Sequence, residues 1–137
     1  MVIPRAEQVR YRRIRPAAKV ARTDARAVAH RWGLDHLADD LESITGELVA
    51  NAVVHGRAAR GSQVVVTYRV AEGTLRIDVR DWATGAPRIV QSDDSEGGIA
   101  ERGRGLAIVR ELSLRWGVVP RVIGKSVWCE LDIEPGH

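Results

Sequence analysis

The stretch E47-L-V-A-N51-A-V-V-H55 combines an apolar helical pattern with three polar side chains spaced four residues apart. At about 100° per residue, Asn51 and His55 lie about 20° on either side of the apolar centre at Ile44. Glu47 lies at about 60° from the same centre. Burying an unpaired carboxylate costs several kcal/mol and an unpaired amide about 1–3 kcal/mol. The pattern therefore predicts a polar cavity or a ligand beside Glu47 and Asn51.

The three polar residues differ in how strongly each one indicates a binding site. His55 stands beside Gly56 at the predicted end of the helix, where exposure to solvent explains it equally well. Glu47 and Asn51 lie further from that end. An acid and an amide one turn apart can hold a divalent cation and a water molecule. The carboxylate can also accept a proton from a hydroxyl group that attacks a phosphoryl group.

The apolar periodicity around this stretch predicts an α+β fold. Short turns between neighbouring strands predict an antiparallel or mixed sheet, with helices covering one face in a two-layer sandwich. The predicted elements are a short edge strand in 10–15, a helix over 17–32 ended by Gly33, a helix capped by Asp35 and running to His55, strands over 64–70 and 74–80, a helix over 106–116 ended by Gly117, and strands over 118–123 and 126–133.

A long glycine-rich loop separates the second predicted strand from the third helix. It begins with D81-W-A-T-G85-A-P, in which a carboxylate ends a strand and a glycine follows. The pair suits the recognition of a base by its exocyclic amine, and equally an ordinary turn. The loop ends with E101-R-G-R-G105-L, directly before a helix. Free N–H groups there form a phosphate site, and a flexible hinge is the alternative.

Composition limits the class of protein. The chain has 137 residues, of which 45% are hydrophobic, as expected for one globular domain. It has no apolar run of about 18 residues, so no membrane span is predicted. Cys129 is the single cysteine, which indicates a reducing, cytoplasmic setting. The net charge is +3, and the first 16 residues are rich in arginine. A solvated arm explains that segment better than a nucleic-acid site, since acidic residues are spread through the rest of the chain.

Four motifs in order resemble those of the GHKL ATPases, which share the Bergerat ATP-binding fold. The motifs are E47-L-V-A-N51-A, D81-x-x-x-G85-x-P, G103-R-G105-L and G124-K-S-V-W. The chain is especially similar to the single-domain anti-sigma-factor serine/threonine kinases of actinobacterial type. The resemblance implies one histidine-kinase-like ATPase domain over 1–137, with a basic segment at 1–16 and an ATP lid at about 90–105.

The resemblance implies roles for the matching residues. Glu47 is expected to polarise the attacking hydroxyl or water, Asn51 to ligate Mg²⁺ that bridges the phosphates, and Asp81 to bind the adenine amino group. Lys125 stands where other members often carry threonine. The other expected nucleotide-binding residues are Gly85 beside the base, Gly103, Arg104, Gly105 and Leu106 at the phosphates, and Ser126 near adenine.

The function implied by the resemblance is that of a cytoplasmic, ATP-binding regulator. Such a protein binds a sigma factor and phosphorylates a serine or threonine of a STAS-type antagonist, with ATP and Mg²⁺ as cofactors. Homodimerisation is implied by the resemblance alone. The alternative is a non-catalytic module that senses nucleotide or binds a sigma factor or another regulator. Binding to nucleic acid or to a membrane is not expected.

Overall fold

Helices pack on one face of an antiparallel sheet in the computed structural model of the chain, which describes residues 5–55, 62–81, 107–121 and 124–134. The strands are β1 (Arg5–Arg12), β2 (Gln63–Ala71), β3 (Thr74–Asp81), β4 (Arg115–Pro120) and β5 (Lys125–Asp132). Within the described residues they form a five-stranded sheet in the order β1-β2-β3-β5-β4. Each neighbouring pair is antiparallel. The predicted α+β sandwich is confirmed, and the sheet is antiparallel where the prediction left a mixed sheet open.

The helical layer consists mainly of α1 (Ala17–Arg31) and α2 (Ala38–His55), and residues 107–112 are also helical. The sequence predicted both long helices. Gly33 ends α1 as expected, because its φ of 72° lies in the left-handed region that favours glycine. The chain then turns back so that the Leu34 N–H donates to the Ala29 carbonyl at 2.8 Å. Among the described helices, none is long and apolar enough to cross a membrane.

The core lies between the two long helices and the sheet. Alanines on α1, among them Ala21, Ala25 and Ala29, are fully buried and allow a close approach to α2. Strand alternation supplies the other side, because every second residue points toward the helices. The buried side chains of β2 and β3 on that face are Val64, Val66, Tyr68, Val70, Leu75, Ile77 and Val79. Burying each large apolar side chain contributes about 1.5–3 kcal/mol, which holds the two layers together.

The N-terminal segment belongs to the sheet in its described part, so it is not a free arm, although Arg5, Arg10 and Arg12 are exposed to solvent as expected. β1 pairs with β2 along its whole length, from Arg5 opposite Val70 to Arg12 opposite Gln63. The Tyr11 hydroxyl donates to an Asp24 carboxylate oxygen on α1 at 2.7 Å. The predicted edge strand is thus confirmed, with earlier bounds than 10–15.

Two predicted helix boundaries are wrong. Asp35 does not cap α2: it begins a 3-10 turn, Asp35–Leu37, and its carboxylate contacts the His30 ring. The third helix does not continue to Trp116. The Leu114 N–H donates to the Glu130 carbonyl at 2.8 Å, and β4 starts at the next residue. Pairing with β5 therefore overrides the apolar spacing that favoured a longer helix.

Gly117 consequently does not end a helix. It lies within β4, directly opposite Trp128 of β5. A Cβ atom at this position would come within 2.9 Å of the indole nitrogen of Trp128. The glycine is thus explained by the close approach of a large ring from the neighbouring strand.

Candidate functional site

Asp81 is the buried acid of the candidate site. It is the last residue of β3 and continues the inward alternation of Ile77 and Val79, so its side chain points toward the helices. Only 3% of the residue is exposed. A buried carboxylate needs partners, since an unpaired charge in the interior is costly. Its neighbours therefore decide what it can bind.

Arg13 is the main partner of Asp81. Its Nη2 donates to Asp81 Oδ1, and its Nη1 donates to the backbone carbonyl of Ala52 at 2.7 Å. The side chains of Arg13 and Asp81 are only 2% and 5% exposed. Burial lowers the pKa of the Arg13 guanidinium, which still remains protonated at neutral pH. Arg13 thus joins the end of β3 to the part of α2 that carries Asn51.

Lys125 supplies a second cation. It is the first residue of β5 and lies opposite Asp81 in the ladder. Its Nζ is 3.7 Å from Asp81 Oδ2, whereas Arg13 contacts Oδ1. Two cations on different oxygens stabilise the charge of the carboxylate in its buried position.

Glu47 and Asn51 lie at the margin of the buried face of α2. Their neighbours Leu48 and Ala52 are buried, whereas both polar residues are half-buried. The Glu47 side chain is 31% exposed, and its Oε2 lies 3.8 Å from Nη2 of Arg22 on α1. The expectation that these groups point into the core is met only in part. Their position lets a carboxylate and an amide face a ligand without the full cost of burial.

Ser126 is not brought together with Asp81. Adjacent strand residues point to opposite faces, so Lys125 faces the helices and Ser126 faces away from them. Ser126 is fully buried there, and its hydroxyl oxygen accepts a hydrogen bond from Nε of Arg121 at 3.0 Å. The side chain of β5 that lies beside Asp81 is therefore that of Lys125.

The remaining predicted site residues lie outside the described part of the chain. These are Gly85, Gly103, Arg104, Gly105 and Leu106, together with the expected lid at about 90–105. The backbone of His55 belongs to α2, but its side chain also lies outside the described atoms. Their predicted roles stay predictions.

Sequence reasoning missed Arg13. Nothing in the segment R10-Y-R-R-I-R15 distinguishes it from its neighbours, because its burial depends on the turn that follows β1. That turn is held in part by the Arg13 N–H, which donates to the Ser62 carbonyl at 3.2 Å. The inward position of Asp81, by contrast, follows from the alternation of Leu75, Ile77 and Val79 and was open to prediction.

The described residues fit a nucleotide with Mg²⁺ in their donor and acceptor chemistry. Asp81 is a buried carboxylate with cations beside both of its oxygens, and an ionised carboxylate is an acceptor-only group that suits an exocyclic amine. Asn51 offers an amide oxygen, a ligand type that Mg²⁺ accepts alongside phosphate oxygens and water. Glu47 adds a partly exposed carboxylate one turn away on the same helix.

The sequence profile of the histidine kinase-like ATPase domain matches residues 13–124. The chain belongs to this family. The matched range includes Arg13, Glu47, Asn51 and Asp81. A search of curated protein sequences found no significant match.

Solved structures share the fold. One is the crystal structure of the RsbU and RsbW domains of Rv1364c from Mycobacterium tuberculosis, with a TM-score of 0.68 and 20% identity. It matches 93% of this chain, which spans only 32% of that longer protein. Another is the histidine kinase domain of the blue-light activated histidine kinase EL346 from Erythrobacter litoralis. Its TM-score is 0.53 at 20% identity, with 70% of this chain and 44% of that chain covered.

Proposed function

We propose that this domain is a Mg-ATP-dependent protein serine/threonine kinase that regulates a sigma factor. Its substrate is a hydroxyl group of a STAS-type antagonist, and the sigma factor is its second partner. The observation that carries the proposal is the position of Asp81, a buried acid joined through Arg13 to the α2 segment that bears Asn51. The fold shared with a structure containing an RsbW domain supports the anti-sigma subclass.

Each described residue has a distinct role in the proposal. Asp81 accepts a hydrogen bond from the adenine amino group, while the nearby cations Arg13 and Lys125 stabilise its negative charge. Asn51 holds the magnesium ion, which neutralises phosphate charge when it is bound. Glu47 accepts the proton of the attacking hydroxyl group. Catalysis then depends mainly on positioning and charge neutralisation, as is general for phosphoryl transfer.

The ion pair between Glu47 and Arg22 is compatible with a general base that leaves its partner when the substrate binds. The contact is long, 3.8 Å, and both side chains are partly exposed. Such a pair is weak in water, so a substrate hydroxyl group can take the place of the guanidinium at low cost. Arg22 then orients the carboxylate in the resting protein.

The proposal is tested by removing the base. Glu47→Ala is expected to bind Mg-ATP within about threefold of the wild type by calorimetry, because the residue does not hold the base or the phosphates. Transfer of the γ-phosphate to a STAS-type antagonist from the source genome should fall by about 10²–10⁴-fold, the usual contribution of a general base.

Glu42→Ala is the matched control. Glu42 is also a carboxylate on α2, but its Oε1 accepts from Nε of Arg26 at 2.8 Å, away from the proposed site. This variant should transfer phosphate at the wild-type rate. Normal transfer by Glu47→Ala would remove that residue from the role of base.

A non-catalytic interaction module is the second candidate. It is favoured by the direct contact of Arg13 with Asp81 Oδ1. This contact uses one of the two carboxylate oxygens that could accept a hydrogen bond from the adenine amino group. Wild-type protein that fails to bind Mg-ATP at millimolar concentration would support this candidate and refute the kinase.

A further inference from the structure

The sheet face turned away from the helices carries a cationic groove with a volume of about 480 Å³. We call this surface the arginine groove. Its charged lining residues are Arg10, Arg69, Arg76, Arg80, Arg121 and Asp78. Five guanidinium groups against one carboxylate leave a clear excess of positive charge.

Strand register brings these charges together. Arg76, Asp78 and Arg80 alternate along β3, so all three point away from the helices. Arg69 of β2 lies directly opposite Arg76. Burial raises the pKa of the Asp78 carboxyl group, although the four surrounding arginines on β2, β3 and the end of β4 act in the opposite direction. One acid therefore lies beneath several cations.

The positive charge is only partly compensated within the described part of the chain. Arg10 donates to the amide oxygen of Gln63 at 3.4 Å, and Arg121 donates to the hydroxyl oxygen of Ser126 at 3.0 Å. These acceptors are neutral, so they satisfy hydrogen bonds without cancelling charge. Burial and the nearby charge of Arg121 both lower the pKa of the Arg80 guanidinium, which is the sign of like charges held close together.

Glu130 neutralises positive charge at one end of the arginine groove only. Its carboxylate accepts hydrogen bonds from Arg115 at 2.6 Å and from Arg76 at 3.2 Å. Arg76 also lies over the ring of Trp128, 4.2 Å from the ring centroid. The other end, with Arg10 and Arg121, is the more cationic.

We propose that the arginine groove binds an extended, acidic polypeptide segment of a partner protein. Side chains on one face of an extended chain repeat every two residues, about 7 Å apart. Arg76 and Arg80 lie one such repeat to either side of Asp78, so carboxylates four positions apart in a bound segment reach both arginines, and an uncharged side chain lies between them over Asp78. A bound segment would add opposite charges to a site that now holds like charges, which lowers its electrostatic energy.

A polypeptide fits better than a nucleic acid. The carboxylate of Asp78 in the groove floor repels a continuous phosphate backbone, but it can accept an N–H group from a peptide. Arg76 covers one face of the Trp128 ring, and Gly117 of the neighbouring strand lies close to the same ring, so base stacking on it is disfavoured. A second copy of the chain fits poorly as well, because a two-fold interface would place this cationic surface against itself.

The groove is independent of the proposed kinase site. Asp81 faces the helices, whereas Asp78 and Arg80 face the opposite side of the sheet. Failure to bind Mg-ATP would thus leave the arginine groove unaffected, and failure to bind an acidic peptide would leave the kinase proposal unaffected.

The test measures fluorescence anisotropy with the labelled eight-residue peptide Ser-Ser-Glu-Ser-Ser-Ser-Glu-Ser, in which the two Glu residues are four positions apart. A peptide with Gln in place of Glu is the uncharged control. The full chain should bind the Glu peptide at least tenfold more tightly at 25 mM NaCl, and added salt should weaken the complex. Arg69→Gln/Arg121→Gln should weaken binding about tenfold, because both residues are exposed and charge-paired with the peptide.

Lys19→Gln/Arg110→Gln is the matched control. It removes the same net charge from two exposed positions on helices, and its affinity should stay within twofold of the wild type. Circular dichroism checks that both double variants are folded. Equal binding of the Glu and Gln peptides, or equal loss in the two double variants, would overturn the proposal.

Two rival occupants give distinct results. Tighter binding of a 20-base-pair DNA duplex than of the Glu peptide would assign the surface to nucleic acid and overturn the proposal. Self-association that is lost in Arg69→Gln/Arg121→Gln, without peptide binding by the wild type, would assign it to a second copy and overturn the proposal as well.

Discussion

Replacing Arg13 by Met should destabilise the protein strongly, because it leaves the carboxylate of Asp81 buried without its main partner. Both side chains of this pair are almost fully buried, at 2% and 5% exposure. Removing one partner of such a pair costs about 3–5 kcal/mol. Lys125, 3.7 Å from the other carboxylate oxygen, offsets part of the loss. We therefore expect a decrease of about 3 kcal/mol in the free energy of unfolding, a large share of the roughly 5–15 kcal/mol of a typical domain.

A double-mutant cycle isolates the ion pair itself. Asp81→Asn alone should also cost about 3 kcal/mol, since it leaves the Arg13 guanidinium buried without a negative partner. The double variant Arg13→Met/Asp81→Asn should lose only about 4 kcal/mol, which corresponds to a coupling of about 2 kcal/mol. Urea unfolding followed by far-ultraviolet circular dichroism gives these free energies if the dependence on urea concentration is unchanged.

Arg26→Met is the control for the loss of an arginine. Arg26 also bridges to two carboxylates, those of Asp39 and Glu42, but its side chain is 40% exposed. Water therefore screens its ion pairs, and its replacement should cost much less than that of Arg13. A coupling below about 0.5 kcal/mol between Arg13 and Asp81 would refute the reasoning, and it would mean that the buried acid does not depend on Arg13.

Three further predictions concern residues outside that pair. Burial raises the pKa of the Cys129 thiol to about 11, so the native protein should react with a disulfide reagent at pH 8 only as fast as it unfolds; rapid reaction would contradict its burial. Although burial acts to raise the pKa of Glu130, hydrogen bonds led by that from Arg115 hold it below its ordinary value. This group therefore stabilises the fold above the unfolded glutamate pKa of about 4.3, and the contribution disappears as pH falls through the lower folded pKa. Glu130→Gln should cost up to about 1 kcal/mol at pH 7, and urea titrations should show the difference closing in acid. Gly46→Ala would gain up to about 1 kcal/mol of helix propensity, but its Cβ would overlap Nε, Cγ and Cδ of Arg22, so that arginine must change rotamer and leave Glu47. We expect a net change close to zero, and a clear loss in urea unfolding would show that Arg22 is fixed.

Much of the fold was open to prediction because its signals are local. The apolar period of α1 and α2, the glycine after α1 and the alternation in β3 depend on residues close together in the chain. The boundary between the third helix and β4, at residues 112–115, could not be predicted. The apolar spacing of Leu112 and Trp116 suits one continuous helix as well as a helix followed by a strand. The backbone hydrogen bond from Leu114 to Glu130 decides between them.

The candidate site also combines features that the sequence predicts with features that only the tertiary structure shows. The sequence predicted Glu47 and Asn51 on the core-facing side of a helix and Asp81 as an acid at the end of a strand, and the structure places Asp81 in the interior and the other two half-buried on α2. It also predicted Ser126 near the base, whereas the alternation of β5 turns Ser126 away from Asp81 and Lys125 toward it. A shift of one residue reverses the face of a strand, so a motif position alone cannot decide it.

By itself, the sequence determined the helices, the β2–β3 hairpin, the α+β class and the polar residues of α2. Only the tertiary structure decided that Arg13 reaches Asp81, 68 residues away, and that the arginines of three strands meet on one face. The physical reason is that helical period and turn chemistry act between neighbours in the chain. A buried ion pair or a charged groove depends on the register and packing of distant segments, which no local pattern encodes.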